Sequence, residues 1–140
     1  MSLRTWAGLA VACTALAAAS VSAASWLPVP GASDLAIDVA SFQQERTRVS
    51  AWLRWPGRSP LLADDIAHGA RTPRLHRSAV LTEFDCARRS VRALAAQGFD
   101  VSGAPLFMSS VPASAQPVRG DELSWAYEAV CEAARSAGRL

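Results

Sequence analysis

Two cysteines, set in segments of opposite periodicity, constrain this chain more than any other feature. Cys86 ends the stretch Ser78-Ala79-Val80-Leu81-Thr82-Glu83-Phe84-Asp85-Cys86, where Ser78, Val80, Thr82, Phe84 and Cys86 share one parity and Arg77, Ala79, Leu81, Glu83 and Asp85 the other. Side chains of a strand alternate between two faces, so Phe84 and Cys86 turn inward and Arg77, Glu83 and Asp85 stay outside, with no charge buried. Cys131 lies in the last segment, where Leu123, Tyr127, Val130, Cys131 and Ala134 recur at helical spacing. A Cys86–Cys131 disulfide therefore ties a helix to a sheet. The chain-entropy relation gives such a bond on the order of 4 kcal/mol.

The pairing depends on an oxidising compartment. Residues 1–23 read as a secretory signal: Arg4, an apolar run from Trp6 to Ala19, and a small-x-small cleavage site at Val21-Ser22-Ala23. Residues 24–140 then form a single domain, in which no stretch is long and apolar enough to span a bilayer. A retained anchor at residues 6–19 is the lesser reading. Cys13 leaves with the signal, and the two cysteines left in an exported chain pair. In a competing reading Ala10-Val11-Ala12-Cys13 is a loose lipobox and Cys13 is lipidated, although the usual Leu three positions before the cysteine is missing.

Fourteen arginines, no lysine and twelve acids give a net charge of +2, or +1 once Arg4 is lost. That balance excludes whole-molecule attraction to nucleic acid or anionic lipid. Guanidinium groups favour bidentate contacts to carboxylate, sulfate or phosphate. The absence of lysine also follows from GC-rich coding alone.

The remaining segments predict a small antiparallel sheet. Trp26-Leu27-Pro28-Val29-Pro30-Gly31 suits an edge strand, where the amide lost at proline is tolerated. Leu35 to Asp38 predicts a second strand ending in an Asp38–Ser41 corner, with the Asp38 and Ser41 side chains satisfying turn backbone. From Arg46 to Trp55 the alternation is strict: Val49, Ala51, Leu53 and Trp55 on one face, Arg48, Ser50, Trp52 and Arg54 on the other. Trp52 among arginines suits a cation–π contact surface or a ring covered by a loop.

Residues 56–74, rich in proline, form a long connection. Residues 88–96 fit either a strand or a helix face, and a hairpin through Ala87-Arg88 into a fifth strand is preferred. Gly98 and Ser102-Gly103 mark turns, Pro105 to Met108 a last strand, and residues 111–118 a linker. A helix follows from about Glu122 to Ser136, capped by Asp121 and closed by Gly138. Its apolar stripe must be buried against the sheet.

No residue set assembles a catalytic or metal site. Asp64, Asp65, His68 and His76 lack the spacing of a ligand set and read as solvated loop residues. With both cysteines paired, no nucleophile has a base placed by spacing, and no phosphate-cradling glycine loop follows a strand. The expectation is a protein that is not an enzyme and carries no cofactor. Arg119-Gly120-Asp121 matches an integrin-binding tripeptide, but Asp121 already serves the helix start. Arg71, Arg74, Arg77, Arg88, Arg89 and Arg92 are dense enough to form a positive strip on neighbouring strands. Such a strip suits a sulfated glycan or an acidic partner, unless Glu83, Asp85, Asp64 and Asp65 neutralise it.

Taken together, Trp26 with Pro28-Val29, Asp38 with Ser41, the Arg48–Trp55 strand, Ser78 leading into Glu83-Phe84-Asp85-Cys86 with Arg88-Arg89, Gly103, Pro117-Val118, and Trp125 and Cys131 in a terminal helix are similar to the surface-adhesin protein E family of exported bacterial proteins. The resemblance runs over nearly all of residues 24–140. It implies a small antiparallel sheet with a packed terminal helix, and a role in binding host extracellular-matrix or serum proteins, since characterised members are adhesins. The shared residues are scaffold, so no contact residue transfers.

The expectation is an exported α+β domain at the cell surface or in the periplasm. It has five or six antiparallel strands and one C-terminal helix, tied by the Cys86–Cys131 disulfide. Arg77, Arg88, Arg89 and Trp52 are the candidate binding residues, for a host matrix protein or a sulfated glycan. The alternative role is a periplasmic structural or accessory protein without a host ligand.

Overall fold

The computed structural model describes residues 25–62, 74–110 and 112–138, and of Ser33 only the backbone. The signal segment with Cys13, and Asp64, Asp65, His68 and Arg71, lie outside the described residues. The strands are β1 (Trp26–Val29), β2 (Ala32–Glu45), β3 (Arg48–Pro56), β4 (Arg77–Asp85), β5 (Ser90–Phe99), β6 (Pro105–Ser109) and the two-residue β7 (Gln116–Pro117), followed by helix α1 (Asp121–Ser136). Strands β1 to β6 form an antiparallel meander in chain order, and β7 adds to β5 beside β6. This is the expected α+β architecture.

The alternation in β3 decides which face becomes the core. Val49, Ala51, Leu53 and Trp55 are buried, while Ser50, Trp52 and Arg54 on the other parity are half-buried. Their partners extend the inner face, with Val49 opposite Phe84, Ala51 opposite Thr82 and Leu53 opposite Val80. Helix α1 packs its stripe of Leu123, Ala126, Tyr127, Val130, Cys131 and Ala134 on this face, across β1 to β4. The hydrophobic effect acts on both surfaces at once: neither stripe nor face is buried without the other.

The disulfide closes the layer. Cys86 and Cys131 are bonded with Cα atoms 5.7 Å apart and 45 residues apart in sequence. Cys86 follows β4 directly, its N–H donating to the Thr47 carbonyl at 2.8 Å.

Several expectations are corrected. Asp38–Ser41 is not the end of a strand, since β2 continues to Glu45 through a register break between Asp38 and Gln43. The Ser41 hydroxyl donates to the Asp38 carbonyl at 2.6 Å and accepts the Trp52 N–H at 2.9 Å, so one side chain carries the ladder across the irregularity. Gly98 is not a turn residue either. It lies within β5 opposite Phe107, whose ring occupies the space where a Cβ would stand, 2.2 Å from its nearest atom. The turn falls at residues 100–104, where Asp100 Oδ1 accepts from the Ser102 N–H, the Ser102 hydroxyl and the Ala104 N–H.

The helix begins one residue earlier than the sequence implies. Gly120 holds the N-cap position at φ 83°, with no side-chain cap, and Asp121 joins Glu122 in the first turn, where a carboxylate favours the positive end of the helix dipole. Arg119, Gly120 and Asp121 are all exposed there. The linker after β6 is held to β5 by Ala113 N–H to the Ala93 carbonyl and by β7, and to the turn before β5 by Val118 N–H to the Arg89 carbonyl.

Candidate binding surface

One sheet face is covered by α1. Among the described residues nothing is packed over the outer face, and its chemistry follows from three rows of cross-strand neighbours. The first row runs Trp26, Asp38, Trp52, Leu81, Ala95, and the second runs Pro28, Ala36, Arg54, Ala79, Gln97, Met108. The third places Pro56, Arg77, Phe99 and Pro105 side by side. Large rings in the first and third rows therefore flank a middle row that contains the small Ala36 and Ala79, and a recess results.

That recess is a cleft of about 350 Å³ lined by Trp26, Asp38, Trp52, Arg54, Arg77, Ala79, Gln97 and Phe99. The Arg54 guanidinium lies over the Trp26 ring, 4.7 Å from its centroid, and that of Arg77 over the Phe99 ring at 5.3 Å. Ring contact fixes each cation in place and leaves its edge N–H groups directed away from the ring. Neither arginine has a carboxylate partner among the described residues. Asp38 is anchored by accepting the Ala40 N–H on Oδ1 at 3.1 Å, and the Ser41 bridge fixes the backbone of Trp52.

The expected arginine strip is dispersed. Arg77 and Arg88 lie at opposite ends of the β4–β5 hairpin, roughly 27 Å apart along a nine-residue strand. Arg88 joins Arg46, Arg48, Glu45, Thr47 and Asp85 around a hollow of about 260 Å³ at the hairpin ends. Arg89 is committed to the helix: its Nη1 donates to Glu128 Oε1 at 3.0 Å, and its guanidinium covers the Tyr127 ring at 4.7 Å. Arg92 pairs with Glu83 at 2.8 Å. Of the four candidate binding residues, Trp52 and Arg77 are thus brought to one cleft, and Arg88 and Arg89 are not.

Arg54 was visible on the right parity of its own strand, whereas Phe99 shares the parity of the buried Val91 and Ala93 and reaches the outer face only through the register break between Ala93 and Ala95. Their juxtaposition with Trp26 and Arg77 was not visible, because it depends on the register of five strands. Trp52 was read as either a cation–π surface or a ring covered by a loop, and the Arg54 cation–π contact falls on Trp26.

In the hairpin hollow, burial pushes the Asp85 carboxyl pKa up, but the Arg88 N–H, the Ala87 N–H, the Thr47 hydroxyl and the Arg88 charge together hold it below the usual value. This carboxylate organises a turn. Among the described residues no three His, Cys, Asp or Glu side chains are grouped to hold a metal ion, and no helix is long and apolar enough to cross a membrane.

No protein-family model matches this chain, and no curated protein sequence matches it. In three dimensions it is similar to the crystal form II structure of Haemophilus influenzae protein E, with a TM-score of 0.54 and 13% sequence identity over 77% of this chain and 87% of that one. At that identity the likeness is one of fold alone.

Proposed function

We propose that this chain is an exported bacterial envelope protein that acts by binding, with host extracellular-matrix or serum proteins as its partners. The observation that carries the reading is the asymmetry of the sheet: one face is sealed by a disulfide-tied helix, and the other presents rings and guanidinium groups without a cover among the described residues. The aromatic and arginine side chains of the cleft are half-buried on a rigid scaffold, and these are the residue types enriched at interfaces. A disulfide suits a compartment outside the reducing cytosol. The likeness to protein E in fold supports the same reading. Cys86 and Cys131 are bonded to each other, so neither serves as a nucleophile, and the proposal is of a binding protein and not an enzyme.

Surface exposure tests this. Protease applied to intact cells is expected to remove the protein, and the purified oxidised chain is expected to be retained on immobilised matrix or serum proteins. Full protection in intact cells, with digestion only after the outer membrane is opened, would favour the periplasmic structural or accessory role instead.

A further inference from the structure

We infer that the outer-face cleft across β1 to β5 is a binding site for an anionic glycan, taking carboxylated or sulfated pyranose rings between Trp52 and Phe99. The inference rests on reading the chain as a binding protein and adds the surface and the ligand chemistry.

Four observations converge on that ligand. The walls are aromatic at both ends, with Trp26 and Trp52 in one cross-strand row and Phe99 two rows away, and the floor between them is the small, 7% exposed Ala79. The rows of Trp52 and Arg77 are four residues apart on the strands, roughly 13 Å, which accommodates more than one flat ring. Arg54 and Arg77 are each held against a ring, with no carboxylate partner among the described residues, and so outnumber Asp38 as the charges facing the cleft. Guanidinium edges recognise carboxylate or sulfate in a bidentate manner. Asp38 and Gln97 supply acceptors and an amide donor beside these cations, suited to a ligand that carries hydroxyl groups as well as charge.

An acidic peptide fits less well. The backbone groups of the central strands β3 and β4 are paired with neighbouring strands on both sides, so an extended peptide laid on this face finds few main-chain partners. A sugar needs none of them. The hollow around Arg46, Arg48 and Arg88 has positive charge but no ring among its lining residues, so it offers attraction without a stacking surface.

Calorimetric titration of the oxidised chain distinguishes these possibilities, with heparin hexasaccharide, hyaluronan hexasaccharide, poly-glutamate and neutral maltohexaose as probes. Heparin binding is expected to be saturable and to weaken about tenfold or more in Arg54→Gln and in Trp52→Ala, the same direction in Arg77→Gln, and less than about twofold in Arg88→Ala. Hyaluronan binding alongside heparin would assign the charge recognised to carboxylate; heparin alone would assign it to sulfate. The inference is overturned if neither glycan binds, if Arg88→Ala weakens binding as much as Arg54→Gln, or if poly-glutamate binds as tightly as heparin and Trp52→Ala changes nothing. Arg54→Gln and Arg77→Gln replace partly exposed side chains and keep the test decisive should Trp52→Ala fail to fold. Tight glycan binding by a protein that protease cannot reach on intact cells would remove the host-adhesin reading and leave the site. Surface exposure without glycan binding would do the reverse.

Discussion

Tyr127 donates its phenol hydroxyl to the carbonyl of Cys86 at 2.8 Å, one helical turn before the Cys131 that is bonded to Cys86 itself. The end of β4 is therefore gripped twice by α1, once covalently and once by a hydrogen bond. The Tyr127 ring also meets Phe84 edge-on at 6.0 Å and lies under the Arg89 guanidinium. The two grips are separable by mutation.

Tyr127→Phe keeps the ring and the disulfide but leaves the Cys86 carbonyl without this donor, and is expected to cost about 1 kcal/mol. Cys86→Ser with Cys131→Ser is expected to cost on the order of 4 kcal/mol. Urea denaturation with and without reductant measures both. If reductant shifts the wild-type midpoint by no more than Tyr127→Phe does, the bond is not the main clamp.

Gly98 and Phe107 form a knob and its socket between β5 and β6. A methyl group at position 98 meets the Phe107 ring at 2.2 Å, so Gly98→Ala is expected to destabilise by about 1–3 kcal/mol, through a displaced ring or a loosened β6. Adding Phe107→Ala removes the obstacle. The double variant should then lose less than the sum of the two singles, as read in a double-mutant cycle from thermal unfolding.

Ser78 acts inside the core. Its buried hydroxyl donates to the Gly57 carbonyl at 2.8 Å and accepts the Ser59 N–H at 3.0 Å, pinning the chain as it leaves β3. Ser78→Ala orphans both partners and is expected to cost about 1–3 kcal/mol. Hydrogen exchange at Ser59 should accelerate well beyond the global change; equal protection at that amide would show that the bond is not holding the segment.

Asp85 sets an acid limit. Its pKa is lowered in the folded state, so the stability it contributes is complete above the unfolded carboxylate value and is lost as pH falls through the folded value. Wild type and Asp85→Asn should therefore differ most near neutral pH and converge in acid, below about pH 4. Urea midpoints measured from pH 7 to pH 3 check the sign; a gap that widened in acid would contradict it.

Elements that local pattern controls were legible in the sequence. Strict alternation from Val49 to Trp55, the parity of Ser78 to Cys86 and the helical stripe from Leu123 to Ala134 each declare which side must be buried, because a single strand or helix carries that information by itself. The same patterns led to a helix facing a sheet, and two cysteines in a chain read as exported led to the bond between them. The misreadings were of residues with more than one local use. Gly98 has the appearance of a turn residue, and only the Phe107 ring against it makes it a strand residue. Asp38 and Ser41 suit a turn, and only the pairing of β2 with β3 makes them a bulge that carries Trp52. The outer cleft was decided by tertiary structure alone. Trp26, Arg54, Arg77 and Phe99 lie on four different strands, and their meeting depends on registers that sheet pairing sets and that no one segment encodes.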